Sequence, residues 1–311
     1  MRVSIVTPSF NQAKYLEQTI RSVLDSNIPE LEYFVMDGGS LDGSVEIIKK
    51  YSDRLAGWVS EIDHGQADAI NKGLRQSTGD VVAWLNSDDF YLPGAISKAL
   101  CFFELHPDAG LIYGNVLSVD AAGKTFNLQT FRSYDLVDLM SFHIISQPGV
   151  FMRRSILEKA GLLEPRYHLL LDHQLWLRIA SLSKIYYVPE TLAAARYHPE
   201  AKNLSRTADF GSEAFQIVEW MKSDPAFQSL YNKNQNQILG GAHRLNAFYL
   251  LDGGFYVQSL KAYWQAFRFN PSVVLKEWYR IIYALLAMAG LKNLRKFYIQ
   301  IRQWLKTKKL S

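Results

Sequence analysis

Cysteine is nearly absent from this chain of 311 residues, which contains only Cys101. A disulfide within the chain is therefore excluded, and a reducing compartment is the simplest interpretation. The opening residues, MRVSIVTPSFNQ, also lack the long apolar stretch of a signal peptide, and their pattern is typical of a first β-strand. From these absences we expect a cytoplasmic protein.

Acidic residues are absent from the last 32 positions, residues 280–311. The same segment contains eight basic residues: Arg280, Lys292, Arg295, Lys296, Arg302, Lys306, Lys308 and Lys309. Subtracting these eight from the 34 basic residues leaves 26 against 30 acidic residues, a net charge of −4 for the rest of the chain. This asymmetry predicts an anionic surface as partner for the C-terminal segment.

Long apolar runs are also missing. The stretch 281–291 is mostly apolar but has only 11 residues, too few to span a membrane. Aromatic residues alternate with the basic ones across 278–311, a pattern typical of helices that lie in a membrane interface. We therefore expect residues 278–311 to contact an anionic membrane at its inner face. The alternative is a helix packed on the protein with a solvated basic end. Nucleic acid is not an expected partner.

Strand and helix patterns alternate over the first 120 residues. Predicted strands cover 2–7, 31–36, 57–60 and 81–85, and each of the first three is followed by apolar residues at helical spacing. This alternation predicts an α/β domain with a mainly parallel central sheet flanked by helices. After about residue 205 the strand signals fade and helical periods prevail. We therefore expect a catalytic domain at 1–208 and a helical C-terminal region at 209–311.

A glycine-rich dinucleotide fingerprint does not follow the first strand. Polar clusters stand instead after the first, second and fourth strands, where α/β sheets bind ligands. The fourth strand leads into WLNSDD, which delivers Asn86, Ser87, Asp88 and Asp89. Adjacent carboxylates repel each other unless a cation or solvent compensates them, and Mg²⁺ usually binds one or two carboxylates plus substrate phosphates. A metal site and a solvated turn are both compatible with this motif alone.

Two further acidic motifs surround this one. MDGGSLDG places Asp37 at the end of the second strand, where its carboxylate could accept hydrogen bonds from a ribose or base. SEIDHGQADAINKG supplies Asp63 before the third helix and Asp68 and Lys72 on it. Taken singly, the first is equally typical of an Asp-Gly turn. The second is equally typical of a charged helix face.

The order of these motifs resembles the family-2 glycosyltransferases, inverting enzymes of the bacterial type. In that family the opening strand ends in a segment like Thr7-Pro8-Ser9-Phe10-Asn11, and the second ends in an Asp-rich turn like 37–42. The third helix carries D-A-x-N-x-G, found here at 68–73, and the D-x-D metal motif corresponds to Asn86-Ser87-Asp88 with its first Asp replaced by Asn. The resemblance covers about residues 1–200.

The resemblance implies the GT-A fold, that of nucleotide-diphospho-sugar transferases. It implies a nucleotide-sugar half at about 1–118 and an acceptor half at about 119–208. It also implies a divalent metal, Mn²⁺ or Mg²⁺, bound by Asp88. The donor-binding residues would be Pro8, Ser9, Asn11, Asp37, Asp63, Asp68, Lys72, Asn86, Ser87 and Asp89.

A later motif, LLLDHQLWLRI, resembles the family segment in which an Asp starts a helix over the acceptor pocket. Asp172 is then the candidate catalytic base, although an Asp at such a position could also cap the helix. Trp176 could stack on a sugar or lie in the core, and Arg178 could neutralise phosphate or pair with an acid. Gln147 and His198 are further candidates, for acceptor contacts and for a late loop that reaches the metal or diphosphate.

Together these residues predict an inverting, metal-dependent transfer of a sugar from a nucleotide-diphosphate sugar to a hydroxyl. The acceptor would be a saccharide or lipid-linked saccharide, as in cell-surface polysaccharide synthesis. Two other classes remain open from the residues. A glycoside hydrolase also uses paired carboxylates but needs no nucleotide pocket or metal. A non-catalytic module of the same fold would bind the donor without turnover.

Overall fold

A computed structural model of the chain describes residues 1–291. These residues form two compact units. The first comprises Met1–Leu136 and Ile144–His198, and the second comprises Val137–His143 and the described chain from Pro199 onward. The predicted boundary at residue 208 and the division of the first domain near 118 stay predictions.

The first unit contains one sheet, in the order β3-β2-β1-β4-β8-β6-β9-β5, with β7 paired to β6. Strands β1 to β4 run parallel, whereas β8 is antiparallel to both β4 and β6. The sheet is therefore mixed, and its parallel part matches the predicted strands. The strands are β1 Val3–Ser9, β2 Leu31–Asp37, β3 Gly57–Ser60, β4 Val81–Trp84, β5 Phe90–Tyr91, β6 Ala109–Asp120, β7 Thr125–Gln129, β8 Val150–Arg153 and β9 Lys184–Tyr197.

Helices connect these strands and cover the sheet. All seven residues of β1 and all four of β4 are buried, because helices pack on both faces of these central strands. In the first helix, Leu16, Ile20 and Val23 lie on the face that enters the core. The helices up to β9 are α1 Ala13–Leu24, α2 Ser44–Lys50, α3 Gln66–Gln76, α4 Ala95–Leu105, α5 Leu136–Met140, α6 Arg154–Ala160 and α7 Leu171–Leu182, with short 3-10 helices at Ser52–Arg54 and Gln147–Gly149.

The second unit is helical over its described residues. Its longest helix, α10, begins with Asp224 as N-cap, whose side chain accepts from the Ala226 N–H, and bends at the non-helical residue Asn234. A Cβ at Gly241 would lie 2.0 Å from the Ser141 carbonyl oxygen, so glycine permits this close approach. The remaining helices are α8 Lys202–Ser205, α9 Phe210–Ser223, α10 Pro225–Asp252, α11 Tyr256–Phe269, α12 Pro271–Leu275 and α13 Trp278–Met288.

A buried ion cluster ties the helices of this unit together. Glu277 lies 3.3 Å from Arg244 Nη1 and 3.4 Å from Arg280 Nε, and it accepts the Tyr263 hydroxyl at 2.8 Å. The Arg244 guanidinium also donates to the Phe142 carbonyl. Burial by itself would raise the pKa of Glu277, but the two arginines and the tyrosine hold it below its usual value.

No helix within residues 1–291 is long and apolar enough to cross a membrane. The predicted membrane segment 278–311 is described only to residue 291, and seven of its eight basic residues lie outside the described residues. The eighth, Arg280, is buried and paired with Glu277, so it contributes no exposed charge to that segment.

Candidate active site

The loops after β1 and β2 are bonded to each other at the carboxyl edge of the sheet. The Asn11 N–H donates to Ser40 Oγ at 2.7 Å, and Asn11 Oδ1 accepts from the Leu41 N–H at 3.0 Å. The Ala13 N–H donates to Asp42 Oδ2. Asn11 has a left-handed φ of 51°, a conformation that asparagine adopts more readily than most residues. The predicted donor residue Asn11 therefore shapes this edge through both its backbone and its side chain.

Asp37 ends β2 and is 2% exposed. Its Oδ2 accepts the N–H groups of Gly39 and Ser40 and the hydroxyl of Ser60, and its Oδ1 accepts the Ser40 hydroxyl. These four hydrogen bonds build the turn that follows β2. The expected contact of Asp37 with a base or ribose stays a prediction.

A carboxylate and an aromatic ring flank the glycine that follows Asp37. A Cβ at Gly38 would lie 2.6 Å from Asp63 Oδ2 and 3.3 Å from the Phe10 ring. Phe10 is 61% exposed, and Asp63 Oδ1 accepts the Gly65 N–H. Asp63 and Phe10 thus approach the Gly38 backbone so closely that a side chain at this position would collide with them.

The two predicted residues of α3 are bonded to protein groups. Asp68 Oδ2 accepts the His64 N–H at 3.1 Å and so closes the start of the helix. Lys72 Nζ lies 2.9 Å from Glu61 and 3.4 Å from Asp68. Both side chains are engaged in this network, which matches the alternative of a charged helix face more closely than direct contact with a donor.

Ser9 and Pro8 complete the end of β1. Pro8 is buried in the sheet, in register with Met36, and the Ser9 carbonyl accepts the Gly38 N–H. The Ser9 hydroxyl is buried and has no hydrogen-bond partner among the described residues. A buried hydroxyl without a partner is unfavourable. Ser9 therefore keeps an unused hydrogen-bonding group at the strand end.

Three side-chain amides, one of them at the first position of the metal motif, form a chain of hydrogen bonds. Gln66 donates to Asn86 Oδ1 at 2.8 Å, Asn86 Nδ2 donates to Gln147 Oε1 at 3.3 Å, and Gln147 Nε2 donates to the Trp84 carbonyl at 2.7 Å. An Asp at 86 would place its carboxylate against the Gln147 oxygen. The structure thus explains the replacement by Asn. Gln147 thus supports the metal motif, and its expected acceptor contact stays a prediction.

Asp88 lies opposite His198, the last residue of the first unit in sequence. His198 Nε2 lies 3.0 Å from Asp88 Oδ2, although the two residues are 110 positions apart. The His198 ring is nearly inaccessible and packs on the Tyr15 ring with centroids 4.9 Å apart. Asp88 itself is only partly buried. The predicted late-loop residue and the predicted metal ligand therefore form one pair.

Asp89 and Ser87 lie inside the turn. The Asp89 carboxylate is buried and accepts the Arg196 N–H at 2.8 Å. Burial raises its pKa well above the ordinary value, and the neighbouring Asp88 adds to the rise. The main-chain carbonyls of Ser87 and Asp89 both accept the Thr19 hydroxyl. The Asp89 side chain thus bonds to β9 and is shielded from solvent, and its expected contact with the sugar stays a prediction.

Arg196 is a site residue that the sequence reasoning missed. It lies in β9, two residues before His198, and is 5% exposed. Its guanidinium donates to main-chain carbonyls on both sides of the site, including that of Asp88. Only its position two residues before a histidine could have suggested a role.

Asp172 lies in the first turn of α7. The N-cap position is Leu170, and Asp172 Oδ1 accepts the adjacent His173 N–H at 2.7 Å. Asp172 is therefore not the N-cap residue. One turn further on, Trp176 stacks on Trp84 with ring centroids 5.1 Å apart. This stack packs α7 on β4, the strand that leads into the metal motif.

Two neighbouring candidate residues pack within the protein. Trp176 is fully buried against Trp84, which matches the alternative of a core tryptophan. The Arg178 guanidinium donates to the carbonyls of Ala160 and Leu162 and to the side chain of Gln174. It therefore supports the chain before α7.

The donor set at Asp88 suits a cation that arrives with a ligand. No group of three or more His, Cys, Asp or Glu side chains within residues 1–291 is arranged to hold a metal. One carboxylate and one imidazole are nonetheless adjacent, and diphosphate oxygens and water can complete such a shell. The imidazole favours Mn²⁺ over Mg²⁺, whose ligands are oxygens. The residues fit a metal shared with a diphosphate.

Residues 4–161, just over half of the chain, match the sequence profile described as Glycosyl transferase family 2. A Bacillus subtilis protein named for teichuronic acid biosynthesis, the glycosyltransferase TuaG, is 38% identical over 103 residues, which cover 32% of this chain and 41% of that protein. The matched segments cover 67%, 64% and 34% of three uncharacterized glycosyltransferases, from Nostoc sp., Rickettsia typhi and Rickettsia conorii.

Two solved structures resemble the fold. S. aureus TarS 1-349 in complex with UDP-GlcNAc has a TM-score of 0.62 at 16% identity, covering 96% of this chain and 91% of that one. The mannosyltransferase PcManGT from Pyrobaculum calidifontis, in complex with GDP-Man and Mn²⁺, has a TM-score of 0.62 at 19% identity, covering 98% and 83%. These two likenesses show that the chain has the GT-A fold.

The chain belongs to glycosyl transferase family 2, as the profile match shows.

Proposed function

We propose that this chain transfers a sugar, with inversion, from a nucleoside-diphosphate sugar to a hydroxyl of a saccharide or lipid-linked saccharide. The observation that carries the proposal is the Asp88–His198 pair, with 3.0 Å between carboxylate and imidazole, at the end of β4. The neighbouring parallel strands β1 and β2 end in loops that are bonded to each other at the same edge.

The donor nucleotide would bind at that edge. The base would lie against the exposed ring of Phe10, near the Asp63 carboxylate, which can accept a base N–H. The Ser9 hydroxyl supplies a further hydrogen-bonding group. Asn11, Asp37 and Asp68 would act indirectly. Their side-chain oxygens accept main-chain N–H groups and so shape the loops that carry Ser9, Phe10 and Asp63. The UDP-GlcNAc and GDP-Man complexes of the two similar structures support a nucleoside diphosphate at such a site.

Asp88 and His198 would hold a divalent cation together with the diphosphate. When bound, such a cation stabilises the negative charge that develops on the leaving diphosphate. The Mn²⁺ complex of PcManGT supports this assignment. His198 is buried against Tyr15, so its imidazole is already oriented toward Asp88 before any ligand binds.

Asp172 would act as the catalytic base. It is partly exposed on the first turn of α7, and the Trp176–Trp84 stack fixes that helix against the strand of the metal motif. As the acceptor oxygen attacks the anomeric carbon from the face opposite the diphosphate, the Asp172 carboxylate takes the hydroxyl proton. A single in-line displacement of this kind inverts the anomeric configuration. Alignment of the two substrates supplies much of the rate.

The acceptor would belong to a cell-surface polysaccharide, as the name of the Bacillus subtilis relative suggests.

We further propose that the C-terminal segment brings the protein to the inner face of an anionic membrane. Helix α13 presents Trp278, Ile282, Leu285 and Met288 at helical spacing, each about half exposed. An apolar face of this kind, followed in sequence by seven basic residues, is typical of an interfacial helix.

Ligand-induced stabilisation tests the donor site. The purified protein is heated with UDP, GDP or the corresponding nucleotide sugars, with and without Mn²⁺. A ligand at a hundredfold excess over its Kd stabilises the native state by about 2.7 kcal/mol. We expect a shift with one base that increases with Mn²⁺. The matching nucleotide sugar is then offered with saccharide acceptors, and NMR of the product reports the anomeric configuration.

Three results would contradict the proposal in different ways. No stabilisation by any nucleotide would remove the donor site. Stabilisation without transfer to any acceptor would favour the non-catalytic binding module. A product with retained configuration would remove the single displacement and the role of Asp172 as base.

A further inference from the structure

Arg196 connects three separate parts of the first unit. Its Nε donates to the Asp88 carbonyl at 2.9 Å, and its Nη1 donates to the carbonyls of Asp120 and Ala121 in the β6–β7 turn. Its Nη2 donates to Gln18 Oε1 on α1 at 2.6 Å. One buried guanidinium therefore holds the metal-motif turn, a β-turn and a helix in fixed relation.

Two aromatic rings cover the guanidinium. The Arg196 carbon Cζ lies 4.7 Å from the centroid of Tyr15 and 5.5 Å from that of Phe90. The Tyr15 ring also packs on the ring of His198. Because the same tyrosine contacts both residues, the position of Arg196 constrains the plane in which the histidine ring lies.

The main chain of Arg196 binds the next residue of the motif. Its N–H donates to Asp89 Oδ1 while its side chain donates to the Asp88 carbonyl. His198 follows two residues later on the same chain. Both hydrogen bonds donated by Arg196, one from its main chain and one from its side chain, hold the turn that carries Asp88. They therefore help to fix the 3.0 Å between His198 Nε2 and Asp88 Oδ2.

Arginine is suited to this position by geometry more than by charge. Every side-chain hydrogen bond of Arg196 ends on an uncharged oxygen, so the Asp88 carboxylate keeps its oxygens for His198 and a ligand. A planar fork with several N–H groups can reach all of these acceptors at once, whereas a lysine ammonium cannot. We propose that Arg196 is a positioning residue that holds Asp88 and His198 in the arrangement that binds a divalent cation. This inference rests on the metal site of the proposed function.

The test is the affinity for Mn²⁺, measured by electron paramagnetic resonance of the free ion in the presence of UDP or GDP. We expect Arg196→Lys to weaken Mn²⁺ binding by about 10- to 100-fold, the range seen when residues that orient metal ligands are replaced. Circular dichroism and the melting temperature monitor the fold.

Arg153→Lys is the matched control. The Arg153 side chain donates to three main-chain carbonyls, those of Ala109, Phe103 and His106, and it stacks on the Phe103 ring at 5.1 Å. None of these groups belongs to the metal motif, so replacing Arg153 should lower stability without changing the Mn²⁺ affinity of the folded protein.

Equal Mn²⁺ affinity in Arg196→Lys and the wild type would overturn the role of Arg196 and leave the metal site intact. Absence of Mn²⁺ binding in the wild type would instead overturn the metal site, and the role of Arg196 with it. If Arg196→Lys does not fold, Gln18→Ala removes one acceptor of the guanidinium and should weaken Mn²⁺ binding to a smaller degree. Unchanged affinity in that variant would also overturn the inference.

Discussion

Both units bury arginine near carboxylates, but they use it differently. In the helical unit, Arg244 and Arg280 approach Glu277 directly and hold its pKa below the usual value. In the sheet unit, the Arg196 guanidinium donates to neutral oxygens, and the pKa of buried Asp89 is raised. The first arrangement compensates its charges within the protein. In the second, the guanidinium bonds to the Asp88 main-chain carbonyl and leaves the Asp88 carboxylate to His198.

The surfaces of the two units also differ. Among the described residues, 1–291, ten of the nineteen exposed large hydrophobic side chains lie within 255–291 of the helical unit. In the sheet unit, Phe10, Leu41 and Ile62 are exposed apolar side chains in the loops that follow β1, β2 and β3. Some exposed apolar side chains of the sheet unit thus lie in the loops of the proposed nucleotide site. Those of the helical unit include one face of a helix. Contiguous exposed apolar surface of this kind marks interaction sites.

The largest expected effect is on catalysis at the sheet unit. Asp172→Asn keeps the shape of the side chain but removes the proton acceptor, so transfer should fall by about 100- to 10,000-fold. Stabilisation by the nucleotide and Mn²⁺ should be unchanged. Initial rates with saturating donor measure the effect.

Glu158→Gln is the control for that substitution. Glu158 is an exposed carboxylate paired with Arg154 at 3.0 Å, and removing such a pair has little effect. A transfer rate in Asp172→Asn close to that of Glu158→Gln would show that another group is the base.

The charge cluster of the helical unit should determine stability instead of turnover. Removing one partner of a buried ion pair costs about 3 to 5 kcal/mol, so Glu277→Gln should lower the free energy of unfolding by about 3 kcal/mol at pH 7. The pKa of Glu277 is lowered in the folded protein, so its contribution is present above the unfolded pKa and is lost as the pH falls through the folded value. The difference from the wild type should therefore shrink below about pH 4.5.

Urea titrations at pH 7 and at pH 4, followed by circular dichroism, measure this difference. Glu219→Gln removes an exposed pair with Lys222 in the same unit and should change stability by less than about 1 kcal/mol. A Glu277→Gln penalty that stays constant between the two pH values would show that the carboxylate charge is not what stabilises the cluster.

The smallest expected effect concerns the apolar face of α13. The double variant Ile282→Glu and Leu285→Glu adds two charges to two half-exposed positions, so binding to vesicles containing anionic lipid should fall several-fold while the melting temperature changes little. Cosedimentation measures the binding. Asn232→Asp with Gln235→Glu adds the same charge on exposed positions of α10. Equal loss in both double variants would attribute binding to net charge alone, and no loss in either would remove α13 from the contact.

The first third of the chain was predictable because its signals are local. The predicted strand 57–60 matches β3, and 31–36 and 81–85 differ from β2 and β4 by one residue at one end. Buried parallel strands are short β-branched and aromatic runs that end in Gly, Asp or Pro, so pattern and boundary coincide. The motifs at their ends were therefore assigned to the correct edge of the sheet.

The later strands were less predictable for a physical reason. Residues 143–152 look like one strand, yet only Val150–Arg153 pairs, after a 3-10 turn at Gln147–Gly149. Strand β8 lies between β4 and β6, far from its neighbours in sequence. Local propensity carries no information about such a long-range pairing, which depends on the whole sheet.

The sequence by itself determined the class of the protein. The order of its strand-end motifs can be recognised without knowledge of the fold, and residues 4–161 match the profile of family 2. It also determined which residue types stand at the site. Tertiary structure alone decided their contacts. It paired His198 with Asp88, bonded Asp37 into the turn after β2, stacked Trp176 on Trp84 and brought Arg196 to the metal motif. Contacts across 110 residues arise from packing of the complete sheet, and no local pattern encodes them.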